Sequence, residues 1–286
     1  MIKFNKLKGK FHNAVTQFKE SCDLSACIQR FVRLQKLVTV IKSPEYKRSN
    51  EKIEIDITYE CNLSCANCNR SSLQAPSKER MTMAQIEKFI NESIDKDIRW
   101  KSICLLGGEP TLHPDILGIL SILLDYKDRY SPDVILKVKT NGTGDFVKNI
   151  LRNIPGRVEI EDTNKGPMGY RHQHTSFNVA PIDSIWYKLL DFSNGCSVLK
   201  NCGMGLTPYG YYCCVVAGGI DRVFGFDMGR KTLPGKNDLM IEQLNKFCRL
   251  CGHFKINKKD RGIRLSPTWE KAYKEYALKK PKLSFY

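Results

Sequence analysis

From residue 53 onward, short apolar runs alternate with segments of helical period, and this alternation constrains the fold more than any other feature. Candidate strands lie at 53–58, 102–106, 134–139, 157–161 and 175–180, and candidate helices at 82–95, 115–127, 144–153 and 182–192. Strands that alternate with helices read as βα units of a parallel sheet, five or six of them before Cys196. Beyond that point LTPYGYYCCV reads as a β-hairpin around Pro208-Tyr209-Gly210. A short helix at 239–247 leads into Cys248, and a polar, basic tail at 255–286 contains one helix, 268–280. Ahead of the first strand, Leu24, Cys27, Ile28, Phe31, Val32, Leu34, Val38 and Ile41 recur at helical spacing, up to Ser43-Pro44. The expectation is a helix packed on the main domain; its basic face offers a membrane-surface or partner-binding role instead.

The formal charge is +16, and it belongs to the ends. Residues 1–50 hold 11 Lys/Arg against 3 Asp/Glu, and residues 255–286 hold 10 against 3, while 51–254 are nearly balanced at 25 against 24. A central site built for a polyanion is therefore not indicated, whereas the basic termini could meet an acidic partner or a membrane surface. No run of roughly 18 apolar residues exists to span a membrane. The N-terminus lacks the apolar stretch and cleavage site of a secretory signal, so the chain is expected in the cytoplasm. Twelve cysteines there call for something other than a disulfide framework. Nine fall in two groups: Cys61, Cys65 and Cys68, then Cys196, Cys202, Cys213, Cys214, Cys248 and Cys251. Thiolates gathered in this way suit iron–sulfur clusters or zinc.

The first group, CxxxCxxC, directly follows the first strand and can hold three irons of a [4Fe–4S] cube while leaving the fourth open. Gly107-Gly108-Glu109-Pro110 follows the second strand and Thr140-Asn141-Gly142 the third. Strand ends of this kind are where βα barrels place their active sites. With these three motifs in order, the chain resembles the radical S-adenosylmethionine (SAM) superfamily. The resemblance implies a partial (βα)5–6 barrel, a [4Fe–4S] cluster on Cys61, Cys65 and Cys68, and SAM chelated by the open iron. It further implies that Glu109 accepts from the methionine ammonium, that Gly107 and Gly108 allow close approach, and that Thr140 and Asn141 reach the ribose. Where the family usually has an aromatic residue stacked on adenine, this chain has Asn67, so adenine must be held in another way.

The second group resembles the auxiliary-cluster modules called SPASM and, in shorter form, twitch. One additional [4Fe–4S] cluster is expected, on Cys214, Cys248, Cys251 and either Cys196 or Cys202; a zinc knuckle would use the same thiolates. The implied organisation is a basic helical extension at 1–50, a barrel at 51–192, a cluster module at 193–254 and a basic tail at 255–286. Cys213 would be a spare thiol, either small buried packing or a hydrogen-atom donor. Tyr170, His172 and His174, together with Glu159, Glu161, Asp162 and Asn164, flank the upper barrel. His172, His174 and Tyr170 are candidate bases for a hydroxyl proton.

The expected activity is cleavage of SAM and hydrogen abstraction from a small polar substrate, such as a sugar or aminocyclitol, with the auxiliary cluster aiding oxidation. A flavodoxin- or ferredoxin-type electron donor is implied. The alternatives are epimerisation with Cys213 as donor, modification of a ribosomal peptide, and a Cys-rich zinc protein that binds nucleic acid. The 50 residues before the first strand are shorter than the leader-binding domain of many peptide modifiers, which favours a small substrate.

Overall fold

The computed structural model describes residues 24–65, 68–164, 176–256 and 265–286. Six strands form one sheet: β1 (Lys52–Thr58), β2 (Ser102–Gly107), β3 (Ile135–Thr140), β4 (Glu159–Asp162), β5 (Met204–Thr207) and β6 (Gly210–Tyr212). Their order is β4-β3-β2-β1-β5-β6. All neighbours are parallel except β5 and β6, the hairpin. The C-terminal hairpin thus extends the same sheet through β5 against β1. Helices α3 (Met83–Asp95), α4 (Ile116–Tyr130) and α5 (Asp145–Arg152) make the crossovers. The expected α/β architecture is present, with an open sheet among the described residues.

The sheet has one apolar and one polar face, and β1 shows why. Side chains alternate across a strand, so Ile53, Ile55 and Ile57 share one face and enter the core with Ile86 and Phe89 of α3 and Leu120 of α4. Glu54, Asp56 and Thr58 share the other, and all three are buried. Register carries this polar face across the sheet: Glu54 lies opposite Cys104, Cys104 opposite Lys137, and Lys137 opposite Glu159. One step along, Lys139 lies opposite Glu161. Such a face is stable only where its charges are paired. Arg70 supplies the pairing at its centre, with Nε 3.1 Å from Asp56 and Nη2 3.2 Å from Glu54.

Three sequence expectations change. Residues 176–180 form no strand, because their backbone bonds go elsewhere: Gly252 donates to Phe177, Ser266 donates to Asn178, and Ala180 donates to the Ser266 hydroxyl. In place of a helix at 182–192 there are 3₁₀ turns at Pro181–Asp183, Ile185–Tyr187 and Phe192–Asn194. Asp183 is drawn off to accept from Thr268, and the Asp191 amide donates to Leu34. The N-terminal helix divides into α1 (Leu24–Arg33) and α2 (Lys36–Lys42), because Gln35 bridges to Leu190 between them. The expected packing on the main domain holds only in part: Cys27, Phe31 and Leu34 join the core, while α2 buries Thr39 and leaves Leu37, Val40 and Ile41 exposed.

The polar face generates a pH prediction. Burial raises the Asp56 carboxyl to about 6, against the pull of the Arg70 guanidinium. The folded value exceeds the unfolded one, so the native state holds an extra proton between about pH 4 and 6, and stability falls as pH rises through that window. Asp56→Asn should remove this slope, worth up to roughly 3 kcal/mol. Urea unfolding at pH values on either side of the window measures it.

Candidate active site and second cysteine cluster

Three loops meet at the C-terminal ends of β1, β2 and β3. The Gly108 amide donates to Thr58 at 2.8 Å, and the Glu109 amide donates to Glu60 at 2.8 Å. A side chain at position 108 would place its Cβ 2.1 Å from the Glu60 carbonyl oxygen, so glycine is required where these strand ends converge. Gly107, with φ of 132°, needs glycine for its backbone angle as well. The cysteine loop is tied to the third loop through Asn62, which accepts from the Asn141 amide group at 2.8 Å and donates to the Thr143 carbonyl at 2.7 Å.

Glu109 joins the second loop to the third. One carboxylate oxygen accepts from the Thr111 amide, the Thr111 hydroxyl and the Thr140 hydroxyl; the other accepts from the Asn141 amide at 2.8 Å. Glu109 is fully buried. In this geometry it is a tie between loops. Glu109→Gln would turn its amide NH2 toward one or more of these donors, and should cost about 1–3 kcal/mol. Denaturant unfolding at neutral pH would show it.

The loops border a cavity of about 320 Å³ lined by Cys61, Cys65, Cys68, Gly107, Gly108, Thr140 and Asn141. With Cys202, eight of the site residues expected from sequence thus share one hollow. Its remaining wall is mixed: Glu54, Arg70, Lys139 and Glu161 continue the polar sheet face, and Leu63, Leu106, Asn69, Thr163 and Cys202 complete it. Burial raises the Cys61 thiol to about 11, with the Leu63 amide partly offsetting it. Asn67, Tyr170, His172 and His174 lie outside the described residues. His113, just beyond the Gly-Gly-Glu-Pro segment, is buried, with its ring bonded to the Met81 carbonyl and the Asp115 amide.

The remaining cysteines border a second hollow, apolar in its lining, with Cys196, Cys213, Cys214, Cys248 and Cys251 around it and His253 at its edge. Helix α6 (Ser197–Asn201) divides the two hollows. Cys196 precedes it and faces the second group; Cys202 follows it and faces the first cavity. The charges follow that division in part, since Cys196 is raised by burial and then by Cys214, and to a smaller extent by Cys202. Burial, then the charges of Cys196 and Cys214, raise both Cys248 and Cys251. Cys202, by contrast, is pushed up to about 12 by burial and then by Glu54.

Cys214 caps α7 (Val215–Phe224), and its thiol is lowered first by a hydrogen bond from Cys213 and further by the Val216 and Ala217 amides. Cys213, the donor in that pair, is raised and has no exposed surface. Among the described residues no three Cys, His, Asp or Glu side chains converge as the ligands of one metal ion do. The thiols stand around the two hollows instead.

Sequence reasoning passed over Glu54, Arg70, Lys139 and the cavity placement of Cys202. Acids at alternate positions of a parallel strand, IEIDIT, were the available signal for the first.

Residues 55–160 match the family model described as the Radical SAM superfamily. The chain is 36% identical over 102 residues to "Probable GTP 3',8-cyclase" of Pyrococcus horikoshii, covering 36% of this chain and 30% of that one. It is 30% identical over 98 residues to "GTP 3',8-cyclase" of Sulfurimonas denitrificans, covering 34% and 29%. The match therefore spans less than a third of the length of these curated relatives. Among solved structures the chain is similar to BtrN in complex with AdoMet and 2-DOIA, at 13% identity and a TM-score of 0.40, covering 75% of this chain and 97% of that one. It is also similar to Streptococcus suis SuiB bound to precursor peptide SuiA, at 22% identity and a TM-score of 0.29, covering 44% and 26%.

Proposed function

We propose that this chain, which carries a radical SAM domain at residues 55–160, is an enzyme that cleaves SAM reductively and abstracts hydrogen from a small polar substrate. The observation that carries the reading is the meeting of the CxxxCxxC, Gly-Gly and Thr-Asn segments on one cavity. A bound [4Fe–4S] cluster and SAM supply the electron and the 5′-deoxyadenosyl radical. Cys61, Cys65 and Cys68 hold three irons in this reading. Gly107 and Gly108 admit the ligand close to the backbone. Thr140 and Asn141 are held by Glu109 and Asn62 on the ribose side. The charged wall of Glu54, Arg70, Lys139 and Glu161 favours a hydroxyl- or amine-bearing substrate over an apolar one. The relatives are named "Probable GTP 3',8-cyclase" and "GTP 3',8-cyclase", and a nucleotide substrate is a further member of the same polar class.

We assign the second cluster to Cys196, Cys214, Cys248 and Cys251. Placement around one hollow supports this set, and Cys202 is left out of it because it opens on the other cavity. Two cubes require about eight iron per chain. Cys61, Cys65 and Cys68 replaced together by Ala should abolish deoxyadenosine formation and leave about four iron. Cys196→Ala should lose the second cluster, whereas Cys202→Ala should keep both; iron analysis with electron paramagnetic resonance distinguishes them. Equal iron in the two single variants would refute the assignment.

Oxidation remains the favoured outcome, with the auxiliary cluster as electron acceptor. The second reading is epimerisation, in which a thiol gives a hydrogen atom to the substrate radical and is restored by an electron and a proton from the donor protein. Cys213 was the sequence candidate, but its burial away from the cavity and the position of Cys202 on it favour Cys202 for that role. Turnover lost in Cys202→Ala while deoxyadenosine still forms would establish epimerisation; full turnover would exclude it.

A further inference from the structure

The apolar side chains of the N-terminal helices divide: Cys27, Phe31 and Leu34 pack on the core, while Leu24, Ile28, Val32, Leu37, Val40 and Ile41 are exposed. In α2 the buried residue is Thr39, which bonds back to Gln35 and accepts from Asn194, while Leu37, Val40 and Ile41 are 79%, 75% and 81% exposed. In α1 the buried residue is Cys27, and Leu24, Ile28 and Val32 face outward. A buried threonine with three exposed aliphatic neighbours reverses the usual pattern of a surface helix. A second apolar strip adjoins it. Ile185 and Leu189 are exposed with Lys188 beside them. Leu190 bridges to Gln35, and the Asp191 amide donates to Leu34, so the strip lies against the junction of the two helices.

The charge is as one-sided as the hydropathy. From Leu24 to Lys42 there is no acidic residue, against Arg30, Arg33, Lys36 and Lys42. Arg30 is paired with Glu45, and Arg33 bonds to Asn194 and to the Ser43 carbonyl. Lys36 and Lys42 flank the exposed aliphatic residues at either end of α2.

We propose that this face docks the protein on an anionic lipid surface, with Leu37, Val40 and Ile41 entering the interface and Lys36, Lys42 and Lys188 meeting the headgroups. Two arguments select this occupant. The chain's own remaining N-terminal segment is itself basic and does not complement the patch in charge. The exposed aliphatic side chains stand among lysines with no carboxylate between Leu24 and Lys42, a charge pattern that an anionic bilayer surface complements. Apolar burial and headgroup attraction add in such docking, and only the second is screened by salt.

Co-flotation of the full chain with vesicles tests it. Binding is expected to phosphatidylcholine vesicles containing phosphatidylglycerol, with a loss of about tenfold or more on phosphatidylcholine alone. The triple variant Leu37→Ser, Val40→Ser, Ile41→Ser should bind the anionic vesicles about tenfold more weakly or worse, with iron content and deoxyadenosine formation unchanged. Lys36→Glu with Lys42→Glu should weaken binding comparably at low salt and differ little from wild type in about 0.5 M salt. Wild-type protein that fails to float, or a triple-serine variant that floats equally well, overturns the proposal. A dimer in vesicle-free solution that the triple-serine variant dissolves would also overturn it, since the face would then belong to a second copy of the chain.

Discussion

The contact of Arg70 with Glu54 and Asp56 is the constraint on which the rest of the architecture depends. A parallel sheet is ordinarily apolar on both faces; here one face carries acids on β1 and β4 and lysines on β3. Two buried carboxylates without a cation would be expelled or neutralised. Arg70 follows directly on the cysteine loop, so the pairing that makes the polar face possible also fixes where that loop returns. Desolvation pulls its guanidinium down, but Asp56 and Glu54 outweigh it and raise it overall. Arg222 from α7 continues the chain of support, donating to the Arg70 and Ala75 carbonyls and lying over the Tyr59 ring at 4.3 Å. The loop, the first strand and α7 are therefore one electrostatic unit.

The two cysteine groups are kept apart by a helix of five residues. Cys196 and Cys202 flank α6, and six helical steps carry the chain about 9 Å along the axis and through roughly one and two-thirds turns. Residues so spaced point to different sides of the helix. Spacing in sequence therefore left either one open as the fourth partner of Cys214, Cys248 and Cys251. The observed caps separate them: Cys196 stands with those three, and Cys202 stands beside Glu54 and the charged wall. The hairpin that follows brings β5 against β1, so both hollows are built on a single sheet.

What was legible in the sequence was what depends on local pattern. The apolar alternation of 53–58 and 102–106, the glycines at 107 and 108 and the turn at 208–210 all have local causes, and each element lies where it was expected. Segment 176–180 has the same apolar pattern, yet its carbonyls and amides are taken by Gly252 and Ser266, distant partners that no window of sequence contains. The break at Gln35 has the same origin in Leu190. Glu109 illustrates the limit from the other side. Its motif identified the loop, but only the fold shows that both carboxylate oxygens are already engaged by Thr111, Thr140 and Asn141.

Two parts of the molecule break the rule that apolar side chains turn inward, and they break it in opposite directions. On the inner sheet face Glu54 and Asp56 are buried, and the violation is closed within the chain by Arg70; toward β4 the face opens to solvent, where Lys139 pairs with Glu161 and Lys137 with Glu159. On α2 apolar groups are exposed around a buried, hydrogen-bonded Thr39, and Leu37, Val40 and Ile41 find no such closure among the described residues. Departures of this kind concentrate where structure has been given up for function. The inner one creates a charged cavity beside three cysteines, fit for polar ligands. The outer one creates a surface whose apolar area only an environment beyond the described fold can cover, and whose lysines set the charge of that environment.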